Sequence, residues 1–102
     1  MSDVVIVPIT HGKHKGLLTR VDFKYKSLVE GNKLYIMHKK GQKMYIGIHL
    51  PNSPGQIGNK LTPLHRLIMH HEFGPSGRYI KHINGDGLDN RLINLKYQDV
   101  SI

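Results

Sequence analysis

Residues 79–91 have the sequence YIKHINGDGLDNR, in which a short apolar segment leads into a run rich in Asn, Gly and Asp. Tyr79 to His82 is predicted to be a strand, and residues 84–87 have the composition of a tight turn. Asn94 to Tyr97 predicts a returning strand. The segment is therefore expected to form a β-hairpin.

A helix is predicted directly before this hairpin. Thr62 followed by Pro63 is a typical helix start, with a hydroxyl that can cap the first turn and a proline that the first turn tolerates. Side chains then recur at helical spacing up to Phe73, at Leu64, Leu67, Ile68 and His71. Gly74-Pro75 is expected to end the helix.

The earlier residues predict short strands and one short helix. Basic segments that contain glycine join the strands at residues 10–16 and 39–42, and residues 51–60 are expected to be a loop. Asp22 is a candidate cap for a short helix that Gly31 closes. The predicted strands are Val4–Ile9, Leu17–Val21, Leu34–His38 and Lys43–Leu50.

These elements predict an α+β fold in one domain, residues 1–102. A basic, β-rich N-terminal part covers residues 1–60, and a helix-and-hairpin part covers residues 61–102. A chain of 102 residues suits one compact domain with a modest core.

The composition favours a nucleic-acid partner. Fifteen Lys and Arg against seven Asp and Glu give a formal charge of +8, and nine of these cations lie in residues 1–50. Such a charge favours nucleic acid over an anionic membrane surface, with a merely solubilising surface as the plain alternative. The absence of cysteine excludes disulfides and thiolate metal sites. With no signal-like or membrane-spanning segment, the protein is expected to be soluble and cytoplasmic.

The quoted hairpin, the preceding Leu64-His65-Arg66-Leu67-Ile68 and the following Asn94-Leu95 resemble the HNH (ββα-metal) endonucleases, specifically the small phage-borne homing type. Order, spacing and residue types agree over about thirty residues. Val21-Asp22 and the Tyr-containing hairpin before the helix agree more loosely. The resemblance implies a ββ hairpin that is normally followed by a helix, double-stranded DNA as partner, and Mg²⁺ or another divalent cation as cofactor.

The resemblance also implies roles for single residues. His82 takes the place of the general base, and Asn94 that of the residue that orients it. Asn90 and Arg91 lie where the family braces the loop and contacts phosphate. His65, with Arg66, is expected to be structural, as a buried histidine that forms hydrogen bonds.

Two departures concern the metal. The family usually has an Asp or His ligand just before the base, where this chain has Lys81, and an ammonium group offers no lone pair. The final helix is expected to be short or absent, since the sequence ends at Ile102. Three interpretations stay open: a former nuclease that keeps its DNA affinity, a chain cut short, or substitute ligands, perhaps across a dimer. The candidate substitutes are His70, His71, Asp86, Asp89 and Asp99, and the metal ligands are otherwise unknown.

The expected function is HNH-endonuclease-like DNA binding, with nicking by His82 impaired. The alternative is an inactive phage protein that binds DNA or a host protein and blocks its function, in the cytoplasm of the host cell. A third interpretation is an RNA-binding basic protein. Lysines at the loops and the hairpin, with Arg91, are the expected DNA contacts: Lys13, Lys15, Lys39, Lys40, Lys43 and Lys81.

Overall fold

The computed structural model describes residues 3–38, 43–50 and 61–98. Within these residues the chain has seven strands and two α-helices, which confirms the predicted α+β class. The strands are β1 (Val4–Pro8), β2 (Leu18–Asp22), β3 (Leu34–Met37), β4 (Tyr45–His49), β5 (Leu61–Pro63), β6 (Tyr79–His82) and β7 (Leu95–Gln98). The helices are α1 (Lys26–Glu30) and α2 (Leu64–Phe73), with 3-10 turns at Phe23–Tyr25 and Leu92–Asn94.

The strands form three small antiparallel sheets. β1 pairs with β2, β4 lies between β3 and β5, and β6 pairs with β7. In the last pair Tyr79 is opposite Gln98 and His82 is opposite Leu95, so this hairpin ends at His82. The loop predicted at residues 51–60 and the connection predicted at 39–42 lie outside the described residues, as does any helix after Gln98.

The start of α2 differs from the prediction. Thr62 and Pro63 belong to β5, where they pair with Ile48 and Gly47, and the helix begins at Leu64 without a side-chain cap. The local pattern was that of a helix start, but pairing with β4 keeps Pro63 extended at φ −59° and ψ 127°. The helix ends as predicted, at Gly74 with φ +85°, a conformation that glycine adopts without strain.

Asp22 connects the N-terminal part to the hairpin. It precedes the 3-10 turn at Phe23, but its side chain does not cap that turn, so the predicted cap is wrong. The carboxylate instead accepts the backbone N–H of Leu92 at 2.7 Å. A long-range partner has therefore replaced the local one.

A buried apolar cluster joins elements from both parts of the chain. Leu64 and Ile68 lie on the inner face of α2, and Leu95 contributes from the hairpin. The other members are Val7, Ile9, Val21, Tyr25, Val29, Leu34, Ile46, Ile48 and Met69. Truncating one large member to alanine is expected to cost about 2–5 kcal/mol. The cluster holds α2 and the hairpin side by side. None of the described helices is long and apolar enough to cross a membrane.

The turn between β6 and β7 packs tightly on the start of β4. A Cβ atom at Gly87 would lie 1.8 Å from the carbonyl oxygen of Met44, so only glycine fits there. This contact brings residues 84–87 next to Lys43.

Candidate active site

A cleft of about 740 Å³ lies between β6 and the first turn of α2. His82 and Lys81 line it from the hairpin, His65 and Arg66 from the helix, and Lys43 from the segment before β4. The remaining lining residues are Met44, Tyr45, Pro63, Tyr79, Ile80, Ile83, Asn84, Gly85, Gly87 and Gln98. This cleft brings together the most characteristic residues of the sequence motif.

The lining is cationic. Lys43, Arg66 and Lys81 contribute to it, and none of the lining residues within the described ranges is Asp or Glu. Lys81 is exposed, and Lys96 lies directly opposite it in the β6–β7 pair. Because opposite residues of an antiparallel pair point to the same face, the side chains of Lys81 and Lys96 leave the hairpin on the same face. An anion is the ligand that this arrangement favours.

His82 is oriented by Asn90. Its Nε2 atom lies 2.9 Å from the Oδ1 atom of Asn90, whose side chain is completely buried. The Nδ2 atom of Asn90 donates to the hydroxyl of Thr19 at 3.1 Å, and that hydroxyl donates to the carbonyl of Leu88 at 2.7 Å. The amide orientation follows from these partners, because a hydroxyl that already donates its hydrogen can only accept from Asn90.

The tautomer of the neutral His82 ring follows in turn. Since the Oδ1 atom of Asn90 can only accept, the Nε2 atom of His82 must carry the hydrogen. The Nδ1 atom then holds the lone pair. A ring fixed in this way has one defined basic atom, which is what a general base requires.

Asn94 has other partners than the His82 ring. Its Oδ1 atom accepts the backbone N–H of Asn84 at 3.0 Å, and its Nδ2 atom donates to the side chain of Asn84 and to the carbonyl of Asp89, at 3.0 and 2.8 Å. The orienting contact that the resemblance placed at Asn94 is made by Asn90. Asn94 holds together the two ends of the turn.

Asp89 and Arg91 form an ion pair inside the turn. The guanidinium donates to both carboxylate oxygens at 2.7 Å, and Asn84 donates to one of them at 2.9 Å. These hydrogen bonds from Arg91 hold the pKa of the Asp89 carboxyl below its usual value. Two of the guanidinium nitrogens are therefore already occupied, and Arg91 braces the turn.

His65 lies against His82. The ring centroids are 4.9 Å apart at an interplanar angle of 67°, and the Tyr45 ring lies 5.7 Å from His65 on another side. The Nδ1 atom of His65 is buried and has no hydrogen-bond partner among the residues that the structure describes, so the expected hydrogen bond is not made by this atom. Burial, then the proximity of His82 and Arg66, lowers the pKa of His65 to about 4. His65 is therefore neutral at physiological pH.

Arg66 has a structural position, as expected. Its guanidinium donates to the carbonyls of Ser76 and Arg78 at 2.9 and 3.0 Å. These bonds hold the segment between α2 and β6 against the helix.

The side chains that the structure describes do not fit a divalent cation. The described part of the chain contains no group of three or more His, Asp or Glu side chains placed to share a metal ion. Of the candidate substitutes, Asp89 is paired with Arg91, His71 contacts the Tyr25 hydroxyl at 2.9 Å, and Asp86 accepts the N–H of Leu88. His70 is exposed on α2, and Asp99 lies outside the described residues. Lys81 occupies the position beside His82.

The other predicted DNA contacts are dispersed. Lys13 and Lys15 are exposed in the loop between β1 and β2, whereas Lys43 and Lys81 line the cleft. Lys39 and Lys40 lie outside the described residues. Thr19, which contacts Asn90 from β2, was not predicted from the sequence, because a threonine in a short strand has no distinctive local pattern.

Comparison with known protein families supports the motif. Residues 62–97 match the family model described as HNH endonuclease. Comparisons with curated proteins and with solved structures gave no match. The matched segment contains α2, the whole β6–β7 turn, His82 and both buried asparagines. Over this segment, about a third of the chain, the protein is similar to HNH endonucleases.

Proposed function

We propose that this chain binds double-stranded DNA in the cleft between β6 and α2 and that it cleaves the phosphodiester backbone only weakly, with His82 as the general base. The similarity to HNH endonucleases supports a nuclease-like, DNA-related function. The observation that carries the proposal is the cationic lining of the cleft, where Lys81 stands beside His82.

The charges of the cleft suit a phosphate of the DNA backbone. Lys43 and Lys81 line it, and neither has an acidic partner among the lining residues of the described chain. A phosphate near Lys81 and Lys96 would offset the repulsion between their ammonium groups. Contacts of this kind hold the backbone of DNA without selecting a sequence.

The chemistry available is general base catalysis. The lone pair on the His82 Nδ1 atom can take a proton from a water molecule as its oxygen attacks phosphorus. The P–O ester bond then breaks, and the leaving oxygen takes a proton from solvent. General base catalysis of this kind typically contributes about 10²–10⁴-fold in rate. HNH nucleases typically also use a divalent cation, which stabilises the leaving oxygen, and the described side chains do not fit that ion. We therefore expect binding to exceed cleavage.

The test combines a nicking assay with a gel shift. Supercoiled plasmid is incubated with the wild type and with His82→Ala, with Mg²⁺ or Mn²⁺, and binding to a short duplex is measured in EDTA. We expect slow nicking that His82→Ala abolishes, and a salt-sensitive shift that His82→Ala retains. Lys81→Ala should weaken the shift several-fold, whereas Lys26→Ala, an exposed lysine on α1, should not.

The same experiment addresses a second candidate, a protein that only binds DNA or a host protein and blocks its function. Lys81 favours this candidate, since a cation stands where the family usually has a metal ligand. A salt-sensitive shift without nicking by the wild type would support it. An absent shift would contradict DNA binding altogether, and fast metal-dependent nicking would contradict the weak cleavage proposed.

A further inference from the structure

Thr19 connects the N-terminal sheet to the His82 site. It lies in β2, outside the segment that matches the HNH endonuclease family, and its side chain is completely buried. The hydroxyl accepts a hydrogen bond from the amide of Asn90 and donates one to the carbonyl of Leu88. Both partners of this buried hydroxyl lie in the turn between β6 and β7, so the hydroxyl can orient groups in that turn as well as fill space.

The direction of these hydrogen bonds is fixed from the Leu88 end. The carbonyl of Leu88 can only accept, so the hydroxyl of Thr19 must donate to it and can only accept from Asn90. The Asn90 amide must then direct its NH₂ group to Thr19 and its oxygen to His82. The Thr19 hydroxyl and the Asn90 amide are therefore each left with a single orientation.

We propose that Thr19 is a positioning residue that fixes the tautomer of His82 through Asn90. Without the hydroxyl, the Asn90 Nδ2 atom keeps only a long contact of 3.5 Å with the carbonyl of Gly87, so the amide can rotate by half a turn and present its NH₂ group to the Nε2 atom. That nitrogen would then have to accept, and the hydrogen would move to Nδ1, the atom that must stay unprotonated to act as a base. The catalytic meaning of this tautomer rests on the proposed function, but the tautomer itself does not.

The backbone around Thr19 allows this to be tested in a folded protein. The N–H of Arg20 donates to the carbonyl of Leu88 at 3.0 Å, and the carbonyl of Arg20 accepts the N–H of Asn90 at 2.8 Å. These main-chain bonds dock β2 on the turn without the Thr19 side chain. Valine has nearly the shape of threonine, so Thr19→Val removes the hydroxyl and little else.

The experiment is nitrogen-15 NMR of the imidazole rings, at a pH where they are neutral, with His82 assigned from the spectrum of His82→Gln. In the wild type we expect a protonated Nε2 and an unprotonated Nδ1. In Thr19→Val the Nδ1–H tautomer should become several-fold more populated, and Thr19→Ser should restore the wild-type spectrum. Thr10→Val is the matched control, because Thr10 also contacts a histidine, His11 at 2.7 Å, but lies outside the site.

The outcomes separate the tautomer proposal from the proposed function. An unchanged His82 spectrum in folded Thr19→Val would overturn the role of Thr19, as would an Nδ1–H tautomer in the wild type. If Thr19→Val does not fold, Thr19→Ala removes the same hydroxyl without adding a methyl group to the space it leaves. Failure of DNA binding in the gel shift would overturn the proposed function and leave the tautomer result standing.

Discussion

The rings of His65 and His82 pack edge to face with their centroids 4.9 Å apart, and the Nδ1 atom of His65 is buried. Burial lowers the pKa of His65 to about 4, so the His65 ring stays uncharged at neutral pH. The nearby His82 and Arg66 contribute to the lowered pKa of His65.

The lowered pKa of His65 predicts that stability falls as the pH is lowered. The folded-state pKa of about 4 lies below the unfolded value, about 6.5, so the unfolded chain binds more protons between these values. The contribution is complete above pH 6.5 and is lost progressively down to about pH 4, by at most about 3 kcal/mol. His65→Gln should remove this part of the pH dependence in urea unfolding. His70→Gln, at an exposed position on the same helix, serves as control. Equal pH slopes for wild type and His65→Gln would contradict the assignment.

The Asp89–Arg91 ion pair predicts a marked effect of one charge in the turn. Asp89 is 1% exposed and accepts both guanidinium hydrogen bonds, so Asp89→Asn removes a carboxylate that three donors need. We expect a loss of about 2 kcal/mol in unfolding free energy, because hydrogen bonds to a buried carboxylate lose their charged acceptor. Asp86→Asn is the matched control, since Asp86 is exposed and an amide oxygen can still accept the N–H of Leu88. Thermal unfolding of both variants measures these losses. Equal losses of stability would show that the Asp89–Arg91 ion pair contributes no more than the exposed carboxylate of Asp86.

The α+β class and the elements around the site could be predicted from local patterns. Helical spacing from Leu64 and the run of Asn and Gly after His82 each depend on neighbours in sequence, and the structure has both elements. The start of α2 could not be predicted in the same way. Thr62-Pro63 pairs with β4, a partner far away in the sequence that no local window contains.

The motif residues of the candidate site could be predicted from the sequence, but the contacts between them could not. The motif brought His82, Asn90 and Asn94 to attention, but which amide faces the ring depends on the path of the turn in three dimensions. Asn90 reaches the ring because β2 pairs with the turn at Arg20, and Thr19 is placed beside it by the same pairing. Contacts between distant segments leave no spacing to recognise.

The close packing of the turn predicts that Gly87→Ala is severely destabilising. The added Cβ would lie 1.8 Å from the Met44 carbonyl oxygen, and neither a Cβ atom nor a backbone oxygen can move away by a side-chain rotation. Overpacking of this kind typically costs about 1–3 kcal/mol, and we expect the upper end here. Gly77→Ala is the matched control, because its Cβ would meet nothing within 4 Å. Urea unfolding of the two variants should differ clearly, and a mild effect of Gly87→Ala would mean that the turn lies farther from β4.

The facing lysines of the hairpin predict that stability and DNA binding change in opposite directions. Lys81 and Lys96 are directly opposite in β6 and β7, and both are exposed. Lys96→Glu replaces a repulsive cross-strand pair by an attractive one, which should stabilise the fold by roughly 0.2–1 kcal/mol. The same change puts a negative charge beside the cleft and should weaken binding of duplex DNA, with a shallower dependence of affinity on salt concentration.

Lys96→Gln separates the two effects, because it removes the repulsion without adding an anion. We expect an intermediate stability and an intermediate affinity, measured by thermal unfolding and by gel shift in EDTA at several salt concentrations. If Lys96→Glu raised the stability but left the affinity unchanged, the DNA would not approach this face of the hairpin. If it lowered both, the repulsion between Lys81 and Lys96 would not be what limits the stability of the hairpin, although the loss of affinity would still place the DNA on this face.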